Sequence, residues 1–153
     1  MNAANTTEPR ASFPSPAELL PHGPTLVFLD RVLERGEQYV VCEATPRPCE
    51  VAYACNGMVP ATMCVEYMAQ AVAVFAGFQA PAGRRREIGY IIAVRMLKVC
   101  VPGFPLGEPL RVQALRQWGE EQLGRFQTSI HRGEDELASA FMSVYRPGPH
   151  ELA

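Results

Sequence analysis

Histidine is scarce in this chain. Only His22, His131 and His150 occur in 153 residues, far apart, so no pair has the spacing that holds a metal, and none is expected. Five cysteines form an odd set without a Cys-x-x-Cys pair. That excludes a disulfide framework and a thiol redox motif, and reduced thiols fit a cytoplasmic protein. Positive charge is short too: 14 Lys and Arg stand against 16 Asp and Glu, for a net charge of −2. Arg84-Arg85-Arg86 is the longest basic run, no aromatics are interleaved with it, and nucleic acid is not an expected partner. The opening MNAANTTEPR lacks the apolar stretch of a secretory signal.

Hydrophobic residues, by contrast, make up 48% of the chain, enough for one domain with a real core. Residues 1–17 are rich in Asn, Thr, Pro and Ser and form a loosely ordered tail. The domain is expected over residues 18–146, with a second short tail at 147–153. Pro60–Gly77 (PATMCVEYMAQAVAVFAG) is apolar almost all round and predicts a buried helix, with Pro60 at its start and Gly77 at its end. Its length approaches a short membrane span. Glu66 and Gln70 near its middle, and its many alanines, favour a soluble core helix and no membrane span. A carboxylate in such a helix is costly unless it is partnered. Thr62, Glu66 and Gln70, four apart, form one polar stripe along it.

Strands are expected around this helix. Thr25–Leu33 and Tyr39–Ala44 precede it, with Arg35-Gly36-Glu37 turning between them. Ile88–Val101, Leu110–Trp118, Leu123–Ile130 and Leu137–Tyr145 follow it as an antiparallel meander, with His131–Glu134 as the last turn. A single apolar helix among antiparallel strands has only the sheet to cover it. The fold class is therefore α+β, a hot-dog in which the sheet curls round the helix. One sheet leaves part of the helix bare, so a second subunit, identical or different, is expected to cover the rest.

The segments Leu19-Leu20-Pro21-His22, Leu29-Asp30-Arg31-Val32 and Glu66-Tyr67-Met68-Ala69-Gln70 resemble the hot-dog 3-hydroxyacyl-acyl-carrier-protein dehydratases. With Pro60-Ala61, Gly89-Tyr90 and Arg95, the chain is similar to the branch found in aryl-polyene pigment clusters. The resemblance covers residues 18–146. It implies elimination of water from a carrier-bound 3-hydroxyacyl thioester, with no cofactor. It implies Glu66 as acid/base group and the Ala61 N–H as oxyanion donor at the helix start. In the standard dehydratases a histidine stands fourteen positions before that carboxylate. Here Ala52 stands there, and residues 49–59 contain no histidine.

Each candidate has a bland alternative. His22 either supplies the missing base, within the fold or across a dimer, or is a structural residue of the first hairpin. Gln70 either orients Glu66 or satisfies backbone groups. Tyr90 either donates to a thioester or lines an acyl tunnel, for which Ile88–Val94 are candidates, or is a core residue with its polar tip at the edge, as Tyr67 is expected to be. Cys64, on a different helix face from Glu66, is expected to be inert. Asp30 and Arg31 face opposite sides of a strand, so each should pair elsewhere. His131 and His150 are expected to be exposed. Arg84, Arg85 and Arg86, extended by Arg95 and Lys98, are candidates for docking an acidic acyl carrier protein, or simply a solvated loop. Two rival functions remain open, a hot-dog thioesterase and a non-catalytic partner subunit or acyl-thioester binding module.

Overall fold

The computed structural model describes residues 12–49, 54–81, 88–120 and 122–148. Its elements run α1 (Pro16–Leu19), β1 (Arg31–Arg35), β2 (Tyr39–Ala44), β3 (Met58–Pro60), α2 (Cys64–Gln79), β4 (Tyr90–Val99), β5 (Gly103–Pro105), β6 (Leu110–Glu120), β7 (Leu123–Arg132) and β8 (Asp135–Tyr145). Short 3₁₀ turns occupy Pro24–Leu26 and Ala61–Met63. Six strands form one antiparallel sheet in the order β1-β2-β6-β7-β8-β4. β3 and β5 form a separate two-stranded ribbon.

Alternation sets which face of the sheet is buried. Leu110, Val112 and Ala114 of β6, Phe126, Thr128 and Ile130 of β7, and Ala138, Ala140 and Met142 of β8 all point inward. α2 lies against this inner face and packs mainly on β2, β6 and β7. Tyr67, Met68, Ala71, Val74 and Phe75 supply its contribution to the core. The helix is long and apolar enough to cross a membrane; 44% of that window is buried within the chain, where the helix packs on this sheet.

The expected strand at Thr25–Leu33 begins only at Arg31. Pro24 starts a 3₁₀ turn instead, and Val27–Leu29 are buried without strand pairing. Likewise, the expected turn at His131–Glu134 shrinks to Gly133-Glu134, because His131 and Arg132 still pair with β8. Gly133 takes a left-handed φ of 59° there, which a glycine adopts freely.

Gly77 does not end the helix, which runs on to Gln79. Its role is contact: a Cβ at this position would meet the Leu19 carbonyl oxygen at 2.7 Å. Gly77→Ala gains up to about 1 kcal/mol of helix propensity. Driving α1 off the helix costs about 1–3 kcal/mol. The clash should win, with a net loss of about 1 kcal/mol in urea unfolding followed by circular dichroism. A more stable variant would mean that α1 is not held against α2.

β4 pairs with β8 on one side and with nothing on the other among the described residues. It is apolar, yet Tyr90, Ile91, Ile92, Val94, Met96, Leu97 and Val99 are all exposed, with Met96 at 80%. Part of the helix was expected to be left bare, and its apolar window is 44% buried within the chain. A second uncovered apolar surface is the β4 end of the sheet, which α2 does not reach with substantial packing.

Candidate functional site

The site begins with an amide, not an acid. Gln70 sits on the inward face of α2 and is only 1% exposed. Its Oε1 accepts from the Phe28 N–H at 2.8 Å, and its Nε2 donates to the Leu26 carbonyl at 2.7 Å. The same Nε2 donates to Glu66 Oε1 at 2.8 Å, one turn back along the helix. Gln70 thus does both jobs open to it from sequence: it satisfies loop backbone and it fixes a carboxylate. The loop it holds is the one whose strand pairing is missing, and those backbone groups find their partner here.

Glu66 is half-buried, with one oxygen held by Gln70. Among the described residues it has no cationic partner within salt-bridge distance. A carboxyl group held at one oxygen keeps the other for proton transfer. Thr62, the start of the same stripe, is exposed. The stripe therefore runs from solvent at the head of the helix to the dry interior at Gln70. Ala61 opens the 3₁₀ turn that leads into α2. First-turn N–H groups of this kind have no partner within the helix and face toward any anion placed there.

The outer fastening is an ion pair. Asp30 Oδ1 accepts from Arg47 Nη1 at 2.7 Å, Asp30 Oδ2 accepts from the Thr45 N–H at 2.6 Å, and Arg47 Nη2 reaches the Val27 carbonyl at 3.2 Å. Arg31 pairs with Glu43 at 2.9 Å. The two neighbours pair with different partners, although Asp30 stands just before β1 and not within it.

His22 lies between α1 and the 3₁₀ turn at Pro24. Leu19 rests against Gly77 and Leu26 binds Gln70, so this segment runs alongside α2 from Gly77 to Gln70. His22 is half-buried and makes no hydrogen bond with Glu66, and its Nδ1 is buried without a partner among the described residues. Tyr90 lies on exposed β4, cross-strand from Tyr145 and away from α2. Arg84, Arg85 and Arg86, Ala52 and His150 fall outside the described residues. His131 is half-buried near the end of β7, with Nε2 3.1 Å from Ser129 Oγ.

Tyr67 is a core residue, edge-on to Phe28 and Phe104, and burial pushes its hydroxyl up to about 12. Burial also raises the Cys64 thiol, and raises that of Cys42 to about 12. Neither thiol is a nucleophile at neutral pH. No His, Cys, Asp or Glu cluster fit for a metal occurs among the described residues. A cavity of about 270 Å³ is lined by Trp118, Glu120, Gln122, Leu123 and Tyr145, at the β6–β7 turn, with neither Glu66 nor Gln70 in its lining.

Replacing Gln70 with Leu keeps the volume but strands the buried Phe28 N–H. The expected cost is about 2 kcal/mol of stability, read from urea unfolding. An unchanged midpoint would show that the loop is held by other means.

The sequence and structure match known proteins in a consistent way. A family model described as ApeP-like, ApeP dehydratase, matches residues 14–153. The dehydratase heterocomplex ApeI:P from Xenorhabdus doucetiae superposes with a TM-score of 0.82 at 25% identity, covering 92% of this chain and 95% of that one. The PaaI protein from the phenylacetic acid degradation operon of E. coli gives 0.59 at 16% identity, over 76% and 78% of the two chains. Zebra fish thioesterase superfamily member 2 gives 0.58 at 14%, over 77% and 80%. These last two share the hot-dog fold. No curated protein matches by sequence.

Proposed function

The chain belongs to the ApeP-like dehydratase family, and on that premise we propose that it is one subunit of a two-subunit hot-dog dehydratase acting in aryl-polyene synthesis. The substrate is a 3-hydroxyacyl thioester on an acyl carrier protein, and the partner is a second hot-dog subunit. The observation that carries this reading is Glu66, clamped by Gln70 on a core helix, in a chain with no histidine at residues 49–59.

The chemistry divides between the chains. A base takes the proton α to the thioester, and charge builds on the thioester oxygen. The Ala61 N–H stabilises that charge at the head of the helix. Glu66 gives its proton to the β-hydroxyl, the C–O bond breaks, and water and a trans-2 enoyl thioester leave. The base comes from the partner subunit. Support for this is that His22, in the segment beside the Gly77–Gln70 part of α2, makes no hydrogen bond with Glu66. His22 then acts as a structural residue of its loop.

Residues 18–146 form the working domain, in the cytoplasm, where the thiols stay reduced. The acyl pocket closes when the second subunit covers β4, and Tyr90 lies on that margin. Arg84, Arg85 and Arg86, just upstream of β4, take the acidic carrier protein. Incubation of the chain with a 3-hydroxyacyl carrier thioester, alone and with its hot-dog partner, tests the proposal. Enoyl product from the pair supports it. Thiol release without enoyl product would mean a thioesterase, and turnover by the partner alone at the full rate would mean a non-catalytic subunit.

A further inference from the structure

β4 carries charge of one sign on a chain that is acidic overall. Residues 88–101 hold Arg95 and Lys98 and no Asp or Glu, while the whole chain has a net charge of −2. Neither cation joins a salt bridge among the described residues. Arg95 is cross-strand from Phe141 and Lys98 from Ser139, so both project from one face of the sheet. Between them the register shifts, and Met96 takes a left-handed φ of 52°. A β-bulge of this kind blunts an edge and re-aims its side chains.

Two identical copies meeting at this edge would be related by a two-fold axis, so residues near the strand's middle would meet themselves. The middle of Tyr90–Val99 falls at Val94 and Arg95. Strands pair about 4.8 Å apart with a rise of about 3.4 Å per residue, so the two Arg95 side chains would lie on the same face in adjacent positions. Both Lys98 residues would flank them, with no carboxylate on either strand. Like charges placed so are destabilising, whereas opposite charges in the same positions stabilise.

We propose that β4 is an edge that selects against a second copy of this chain and for a different hot-dog subunit, whose own edge strand sets carboxylates opposite Arg95 and Lys98. This rests on the reading of β4 as the subunit edge and adds what chooses the partner. The repulsive element gives the selectivity, since the apolar surface of β4 alone accepts either partner.

Sedimentation equilibrium of this chain tests the proposal without the natural partner. Three samples are compared: wild type, the Arg95→Glu/Lys98→Glu variant, and their equimolar mixture. The mixture is expected to dimerise at least about 10-fold more tightly than wild type alone at about 0.05 M NaCl. At 0.5 M salt, where the screening length is a few ångströms, this advantage should shrink and wild-type self-association should strengthen. The Arg95→Gln/Lys98→Gln variant, which adds no new charge, should self-associate more tightly than wild type, and it decides the matter if the charge-reversed chain does not fold. A tight, salt-insensitive wild-type dimer, or a mixture no tighter than wild type, overturns the proposal. Repeating the mixture with Val94→Asp in both chains separates it from the functional reading. Pairing that survives that change would place the contact away from β4 and overturn the edge assignment itself.

Discussion

Glu66→Gln should lower kcat for water elimination by the two-subunit complex about 10²–10⁴-fold, the usual share of a positioned general acid or base. The change is isosteric, and Gln70 Nε2 still finds an oxygen to donate to at position 66, so the 2.8 Å contact survives with its geometry. Folding and subunit assembly should therefore be unaffected, and the loss should fall on kcat with KM little changed. Single-turnover kinetics on a carrier-bound 3-hydroxyacyl thioester, followed by mass spectrometry of the carrier, reads the loss directly. Activity within threefold of wild type would remove Glu66 from the chemistry and leave the chain a scaffold for its partner. The Gln70→Leu variant provides the contrast. It loses the same contact by freeing Glu66, so it should lower activity together with stability, whereas Glu66→Gln lowers activity alone.

The second large effect concerns assembly. Val94 lies cross-strand from the buried Met142, on the inner face of β4, but is itself exposed. In the isolated chain Val94→Asp therefore buries no charge and should leave the unfolding midpoint within about 0.5 kcal/mol of wild type. Within a subunit interface the same carboxylate is desolvated against apolar surface. Binding of the hot-dog partner should weaken at least about 30-fold, a loss of 2 kcal/mol or more that marks a hot spot. On the proposal that the site is completed across the interface, dehydration should fall with assembly and recover at high partner concentration. Titration calorimetry or sedimentation of the pair measures it. Unchanged affinity would show that β4 faces solvent in the complex, leaving its run of exposed apolar residues unexplained.

What the sequence disclosed follows its short-range signals. The run of apolar residues at Pro60–Gly77, interrupted by Glu66 and Gln70 four apart, was enough to place the helix and its polar stripe. Alternation at Leu110–Ala114 and Phe126–Ile130 was enough for the inner face of the sheet. The hidden part rests on long-range partners. Gln70 binds groups 42 and 44 positions away, and no local pattern signals that the Phe28 N–H and the Leu26 carbonyl take their bonds from a helix instead of a strand. Asp30 and Arg31 were expected to pair apart, but Arg47, 17 positions on from Asp30, gave no sign in a Pro-rich stretch. Three-residue strands such as β3 and β5 are masked by their own Pro and Gly, which look like punctuation. Gly77 looked like a helix end because glycine so often is one, while its real task is to let α1 approach. Ile88–Val101 showed apolar residues on both faces, the pattern of a fully buried strand. In a single chain that burial has nothing to supply it, and the contradiction itself points to the partner.

The central claim is that Glu66 is one half of a site whose other half belongs to a second subunit. The crystal structure of the complex with an unreactive 3-hydroxyacyl analogue tests it most directly. The expected result is an imidazole of the partner on the far side of the substrate, its nitrogen within about 3.2 Å of the α-carbon's proton or one water away, with a Glu66 oxygen at the β-hydroxyl. An analogue bound remote from Glu66, with acid and base both drawn from the partner, would contradict it.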